Sequence, residues 1–375
     1  MHIECLKISG IQSLINTYAT VNLSTVNATM PFDSCIMMKT FASDNAAGVH
    51  PAIMDAMIAA NKGHALAYGR DEYTERARTK FRDHFGNDAE TYFVFGGAGA
   101  NITGIKAALR EPYSIVCPDG AHIYESECGA PRTFTGCSFI PVGTRNGKLR
   151  VSGVREASRD SFGLISISQP TELGTVYEPG EIEELASYAH DIGAALHMDG
   201  ARICNAADYL GMSLCGFTRD AGVDVVSFGG TKNGIMYGEA VVILNPKFAQ
   251  SENGKIFDDI RVEAAQRPSK MRYVAAQFDA LLTDDLWMRN ARHSNAMAKT
   301  LYRAVQDVPK VELTQPIQSN AVFATIPREC IAPLREKYFF EVWDEETGEV
   351  RWMTAWDTTH EDVMDFAGHI REIVK

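Results

Sequence analysis

At 375 residues and 45% hydrophobic, the chain is long enough for two domains, or a large domain with a smaller companion, and too apolar to be mostly disordered. Its formal charge of −12 at pH 7 argues against nucleic acid or an anionic membrane as main partner. It does not argue against an anionic cofactor, because a phosphate site depends on local donors.

The eight cysteines (Cys5, Cys35, Cys117, Cys128, Cys137, Cys204, Cys215 and Cys330) form no C-x-x-C pair and no zinc-like grouping with histidine. They read as reduced, mostly buried thiols in a cytoplasmic setting. No run reaches the roughly 18 apolar residues of a membrane span. From Ile8 to Thr29 there is no charged residue. A secretory signal would need a denser apolar block and a mitochondrial leader would need arginines. Residues 1–40 are therefore expected to be an extension outside the main fold, upstream of a natural start near Met37 or Met38. Asn22-Leu23-Ser24 and Asn27-Ala28-Thr29 match glycosylation sequons, a pattern short enough to arise by chance.

From about Asp44 onward, helix and strand alternate. Residues 101–110 carry Ile102, Ile105 and Leu109 on one helical face, directly after the stretch Gly96-Gly97-Ala98-Gly99-Ala100. Strands are expected at 114–117 and 164–168. A helix over 181–191 turns Ile182, Leu185, Ala186 and Ala189 inward, with Pro179 near its start and Gly193 past its end. Strands at 194–198, 224–228 and 240–244 follow. Strands separated by helices imply crossover units and a mostly parallel sheet, an α/β fold. Beyond about residue 280 the character changes to α+β. Residues 322–326 read as a strand, and 339–342 and 350–353 as an antiparallel pair joined across Glu346-Thr347-Gly348. A last helix opens on Thr359-His360-Glu361-Asp362, close to a capping box, and presents Val363, Phe366, Ile370 and Ile373 on one face. The expected division is a large domain over 41–280 and a small C-terminal domain over 281–375.

Two apolar, β-branched runs end in polar residues and glycine, as buried strands do at the edge of a sheet. One is Val223-Asp224-Val225-Val226-Ser227-Phe228-Gly229-Gly230-Thr231-Lys232-Asn233-Gly234. The other is Ala194-Ala195-Leu196-His197-Met198-Asp199-Gly200-Ala201-Arg202. Functional groups in open α/β sheets gather at those carboxyl ends. An amine and a carboxylate delivered there, one crossover apart, match the needs of pyridoxal 5'-phosphate (PLP). Lys232 would form the Schiff base, and Asp199 would keep the pyridine nitrogen protonated.

Each residue also has a plainer reading. Lys232 would be the solvated flank of a type I′ hairpin at Asn233-Gly234. Asp199 would be a cap or surface group, ion-paired with Arg202. Arg202 would otherwise grip an α-carboxylate with both prongs of its guanidinium. The glycine-rich stretch is a phosphate cradle or a flexible surface loop, and it matches neither the dinucleotide fingerprint nor a P-loop. His122, in Asp119-Gly120-Ala121-His122-Ile123-Tyr124-Glu125, is structural or stacks on a pyridine ring. His197 is placed on the opposite side of its strand from Asp199 and read as structural. His190 and His197 make no convincing metal pair, and no metal site is expected.

The order of these features resembles the L-threonine aldolases of the aminotransferase-like, fold type I PLP enzymes. Ser43-Asp44-Asn45-Ala46-Ala47-Gly48, Ala67-Tyr68-Gly69, Glu127-Cys128-Gly129-Ala130-Pro131, 197–202, 228–234 and Arg351-Trp352-Met353 all fit that family, over roughly residues 41 to 375. The resemblance implies Lys232 as the Schiff-base lysine, His122 stacked on the cofactor ring and Asp199 at the pyridine nitrogen. It implies Ser43, Arg202 and Arg351 as substrate-carboxylate ligands, and Gly97, Ala98 and Gly99 as the phosphate loop. Tyr68 and Arg272 resemble residues placed at the cofactor of a neighbouring subunit, which implies a homodimer or homotetramer with shared active sites. The chain departs from the family at Ala98, where a hydroxyl residue is common, at Arg70, where an acidic residue is common, and in 158–163, which lacks a histidine.

The implied reaction is retro-aldol cleavage of L-threonine, L-allo-threonine or a related β-hydroxy-α-amino acid to glycine and an aldehyde, with His122 or a water it orients as base. The alternatives are a PLP-dependent β-eliminating lyase and an inactive PLP-fold binding subunit.

Overall fold

The computed structural model describes residues 39–250 and 256–375. The N-terminal segment, with its sequons and the expected start, lies outside the described residues. Two helices lead in. α1 (Pro51–Ala60) begins on a proline, and α2 (Glu72–Phe85) is capped by Asp71, whose carboxylate accepts from the Thr74 amide at 2.9 Å. Then come β1 (Glu90–Val94), α3 (Gly97–Ala108), β2 (Ser114–Pro118), the short α4 (His122–Glu125) and α5 (Ala130–Thr135), and β3 (Ser138–Val142). α6 (Val151–Ser158), β4 (Leu164–Ser168), α7 (Pro179–Asp191), β5 (Ala195–Gly200), α8 (Ile203–Leu210), β6 (Val225–Gly229) and β7 (Glu239–Ile243) complete the first half.

These strands assemble in the order β1-β7-β6-β5-β4-β2-β3. Neighbours run parallel except around β7, which is antiparallel to both β1 and β6. The mostly parallel α/β sheet agrees with the sequence reading, which overlooked β1 and β3. Both lie at the sheet's edges with several exposed or half-exposed positions, so neither carries the continuous apolar run of a central strand. The helix expected from residue 101 instead starts at Gly97, so the glycines form its first turn and not a loop before it. No two-residue hairpin forms at Asn233-Gly234. Thr231–Asn233 is a 3-10 turn, and residues 230–238 separate β6 from β7.

After α9 (Phe257–Glu263), α10 (Met271–Leu281) and α11 (Leu286–Val305), the chain builds a second sheet. Its strands are β8 (Glu312–Leu313), β9 (Ala321–Thr325), β10 (Glu341–Asp344) and β11 (Glu349–Met353), with α12 (Arg328–Arg335) between β9 and β10 and α13 (His360–Ile373) at the end. The order is β10-β11-β9-β8, antiparallel throughout. Its core includes Phe41, Leu301, Phe340, Trp352 and Phe366. Phe41 stacks on Phe366 with ring centroids 4.4 Å apart, and its backbone bonds to Phe339 and Met353, both at 2.7 Å. The segment that enters the first half is thus anchored on the second sheet. The capping box of α13 is present. The Asp362 amide donates to Thr359 Oγ1 at 3.1 Å, and the Thr359 amide to Asp362 Oδ2 at 2.8 Å.

The main sheet buries both faces. On β5, Leu196 and Met198 join one core, shared with α2, α7 and α10, while Ala195 joins the other, shared with α3. In the first core the Phe81 ring lies within 5.2–6.1 Å of Phe85, Phe93, Phe228 and Phe278. This cluster supports the end of β6, from which the Lys232 turn departs. Phe81→Ala should therefore destabilise by about 3–5 kcal/mol. Urea unfolding checks this, and a loss below about 1 kcal/mol would mean that the cluster does not carry the strand end.

Candidate active site

The carboxyl ends of β4, β5 and β6 place Ser168, Asp199 and Ser227 side by side in register. Asp199 is buried. Its Oδ1 accepts from the Ala201 amide at 3.0 Å, and its Oδ2 from Asn101 Nδ2 at 2.8 Å. The same Asn101 nitrogen donates to Glu127 Oε1 at 2.8 Å, and that oxygen lies 3.1 Å from His122 Nδ1. One amide thus joins two buried carboxylates to an exposed imidazole. The hydrogen bond to Glu127 outweighs burial and holds His122 above the ordinary histidine range.

His197 corrects the sequence reading in part. Residues two apart on a strand share a face, so His197 lies on the same side of β5 as Asp199. It is structural all the same. The ring is fully buried, with Nδ1 2.9 Å from Ser166 Oγ and Nε2 3.0 Å from Ser227 Oγ, and burial pushes it down to about 4. It sits as a neutral imidazole beneath Asp199.

Lys232 leaves β6 in a turn that needs its glycines. A Cβ on Gly230 would lie 2.5 Å from Ile235 Cδ1 and 2.8 Å from the Phe278 ring, and Gly234 holds φ +102°. The nearby Arg202 guanidinium, then burial, lower the Lys232 amine below its ordinary value. Behind the turn, Glu239 accepts from the Gly230 amide, and burial raises its carboxyl to about 7.

Arg202 does not pair with Asp199. Its Nε and Nη2 each donate to Asp44 at 2.7 Å, and Asn320 Nδ2 donates to the same carboxylate at 3.0 Å. Burial pushes Asp44 up, but its Coulombic attraction to Arg202 and the hydrogen bonds leave it below the usual range. Arg351, from β11, stands over the Trp343 ring at 5.1 Å and donates to the Ala42 carbonyl at 3.2 Å. Burial, then repulsion from Arg202, lower it to about 10. Both arginines, Lys232, Asp199 and His122 line one cleft of about 460 Å³. A contiguous space of about 310 Å³ extends toward Gly97, Ala98 and Thr231.

The structure therefore brings together Lys232, Asp199, His122, Arg202, Arg351, Gly97 and Ala98. Gly99 instead packs against Gln266, whose Oε1 would lie 2.2 Å from an added Cβ. Ser43 Oγ caps a short turn by accepting from the Asn45 amide at 3.2 Å, and Asn45 lines the cleft in its place. Tyr68 and Arg272 are not among the residues lining the cleft. Tyr68 is 46% exposed beneath Arg267, and Arg272 donates to the Gly63 carbonyl at 3.1 Å. Sequence reasoning gave no role to Asp44, Asn101, Glu127, Glu172, Glu239 or Trp343. Asp44 and Glu127 stood inside recognised motifs, and their placement beside a cation was the missing signal.

The residues fit PLP. The first turn of α3 has no side-chain cap, and a Cβ added at Gly97 would meet nothing within 4 Å, so its amides have room for a phosphate. Asn101 Oδ1, Glu127 Oε2 and Arg351 Nε are buried without a hydrogen-bond partner, as in a site shaped for a polar occupant. Fold and cleft together define a fold type I, PLP-dependent enzyme. A family model described as beta-eliminating lyase matches residues 40–327. A low specificity L-threonine aldolase from Pseudomonas aeruginosa is 38% identical over 89% of this chain and 97% of that one. A solved structure of a threonine aldolase from Leishmania major superposes with a TM-score of 0.82 at 27% identity, covering 90% of this chain and 100% of that one. An aspartate aminotransferase from Thermus thermophilus shares the fold, with a TM-score of 0.67 at 15% identity over 90% and 92% of the two chains. The chain belongs to the beta-eliminating lyase family, and it is a PLP-dependent lyase.

Glu239 yields a test of the scaffold. Its folded value of about 7 stands above the ordinary 4.5. The folded state thus keeps a proton that the unfolded chain loses, and stability falls as pH rises through that window. Glu239→Gln keeps an acceptor for the Gly230 amide and removes the titration. Urea unfolding between pH 4.5 and 8 should show a flatter profile than wild type, and identical slopes would refute the assignment.

Proposed function

We propose that this chain cleaves L-threonine, L-allo-threonine and related β-hydroxy-α-amino acids to glycine and an aldehyde. The observation that carries this reading is charge. Two guanidiniums and the Lys232 amine crowd one cleft, and Asp44 is the buried carboxylate that Arg202 uses. Arg351 is left with a buried, unpartnered Nε beside Arg202, which suits an incoming α-carboxylate. Relatives named low specificity L-threonine aldolase over nearly their whole length support the substrate class.

In this mechanism Lys232 would hold the cofactor covalently, Asp199 would serve its pyridine nitrogen, His122 would cover its ring, and the α3 amides would receive its phosphate. When bound, PLP supplies an electron sink for the pair released from a bond at Cα. Arg202 and Arg351 hold the substrate carboxylate, which fixes the Cα–Cβ bond in the orientation where it is the one to break. Ser43 is left as a cap close to this carboxylate site. The donors Ala201 and Asn101 fix the orientation of the Asp199 carboxylate.

We further assign residues 41–280 and 281–375 to large and small domains, the cytoplasm as location, and a homodimer or homotetramer as the working assembly. Separate cores on the two sheets support the division. Free thiols at Cys117, Cys128, Cys137, Cys204, Cys215 and Cys330 support the location. Among the described residues no helix is long and apolar enough to cross a membrane. Exposed Ile58, Leu66 and Tyr68 support the assembly, with Tyr68 and Arg272 serving the cleft of a second copy.

Aldehyde release from threonine, allo-threonine and phenylserine tests the activity. Lys232→Ala should abolish turnover and lose the cofactor attachment found by borohydride reduction and peptide mapping. Arg351→Lys should raise KM about tenfold or more, because a point charge cannot reproduce the two-pronged grip. Attachment at another lysine, or an unchanged KM, would overturn these roles. For the assembly, mixing inactive Lys232→Ala with Arg272→Ala subunits should restore activity that neither has alone. Mixtures no better than their parts would leave each site within one chain.

A further inference from the structure

The substrate half of the cleft holds a carboxylate that the roles above do not use. Glu172 follows β4 and lines the cleft with Lys232, Arg202 and Arg351. Its Oε1 accepts from the Ser168 hydroxyl at 2.7 Å and from the His122 backbone amide at 2.9 Å. Both bonds fall on one oxygen, so the group is held in a fixed orientation while Oε2 receives neither. The imidazole of His122 is less free, since its Nδ1 is committed to Glu127.

We propose that Glu172 is the catalytic base that takes the β-hydroxyl proton of the amino-acid substrate, an inference that rests on the aldolase reading. The step balances without a further reactant. The O–H proton passes to a Glu172 carboxylate oxygen, the O–H pair becomes the new C=O π bond of the aldehyde, and the Cα–Cβ bond breaks. Its electron pair is left at Cα, where a proton later completes glycine. Burial raises the Glu172 carboxyl above the ordinary range, which makes it a better proton acceptor than a solvated glutamate. The titratable groups that line the cleft with it are His122, Glu125, Glu127, Asp199, Arg202, Lys232 and Arg351. Behind it, the Cys117 thiol and the Tyr177 phenol are pushed up by burial and stay neutral.

Glu172→Gln tests the proposal, because an amide oxygen can still accept from Ser168 and His122. Glycine binding, followed by the visible absorbance of the holoenzyme, should change less than about threefold. Turnover of threonine should fall roughly 100-fold or more, and the acidic limb of the kcat profile, where Glu172 becomes protonated, should disappear. Glu172→Asp, which keeps a carboxylate, should recover part of the rate. Turnover within about threefold of wild type, or an acidic limb that persists in Glu172→Gln, would overturn the role. Parallel loss of glycine binding and turnover in both variants would also overturn it, making Glu172 a positioning residue. Failure of wild type to release aldehyde from any β-hydroxy amino acid would refute the underlying reading instead, so the two failures are told apart.

Discussion

The site depends on the buried ion pair between Asp44 and Arg202. Arg202 comes from the end of β5 on the main sheet. Asp44 follows a segment anchored on the second sheet through Phe41, and it also receives Asn320, which immediately precedes β9. A buried pair gives little net stability, since desolvation offsets attraction, but losing one partner is costly. Its value here is geometric. The two-pronged contact fixes where the guanidinium stands, and it ties the arginine of one sheet to the arginine-bearing strand of the other.

That pair also sets the electrostatics. Even paired with Asp44, the Arg202 guanidinium is the first cause that lowers Lys232, ahead of burial, and it adds to the burial that lowers Arg351. An acidic chain can therefore gather Arg202, Lys232 and Arg351 in one cleft, among carboxylates of its wall, because a cleft answers to its own walls rather than to net charge. A lowered lysine also holds more of its amine in the neutral, nucleophilic form that covalent catalysis requires.

Much of this was legible in the sequence. The central strands, the helix over 181–191 and the last capped helix announce themselves through apolar runs, period and caps, and the strand ends carrying Asp199 and Lys232 lie where those runs stop. Other features depend on contacts that no local pattern encodes. β1 and β3 are edge strands with mixed exposure, so their alternation is weak. The partner of Arg202 is not Asp199, weighed as its plainer reading, but Asp44, 158 residues away in sequence. The error over His197 was one of counting, since i and i+2 share a strand face. Glu172 and Asn101 gained meaning only when distant strand ends were set side by side.

The helix α3, whose first turn opens on the cleft, shows how packing fixes the site. α3 is built mostly of small residues, and a Cβ on Gly104 would meet Val225 at 3.2 Å, Val241 at 3.5 Å and His197 at 3.7 Å. The helix therefore lies close on β5, β6 and β7. A larger residue there would lift it off the sheet, since well-packed cores accommodate extra volume poorly. Lifting it would withdraw two things at once: the free amides of its first turn, and Asn101, whose nitrogen spans Asp199 and Glu127. One buried glycine thus sets both the position of the helix's first turn and the hydrogen bond that orients Asp199. The order of glycines along α3 places the chemistry at one end of the helix and its close packing at the other.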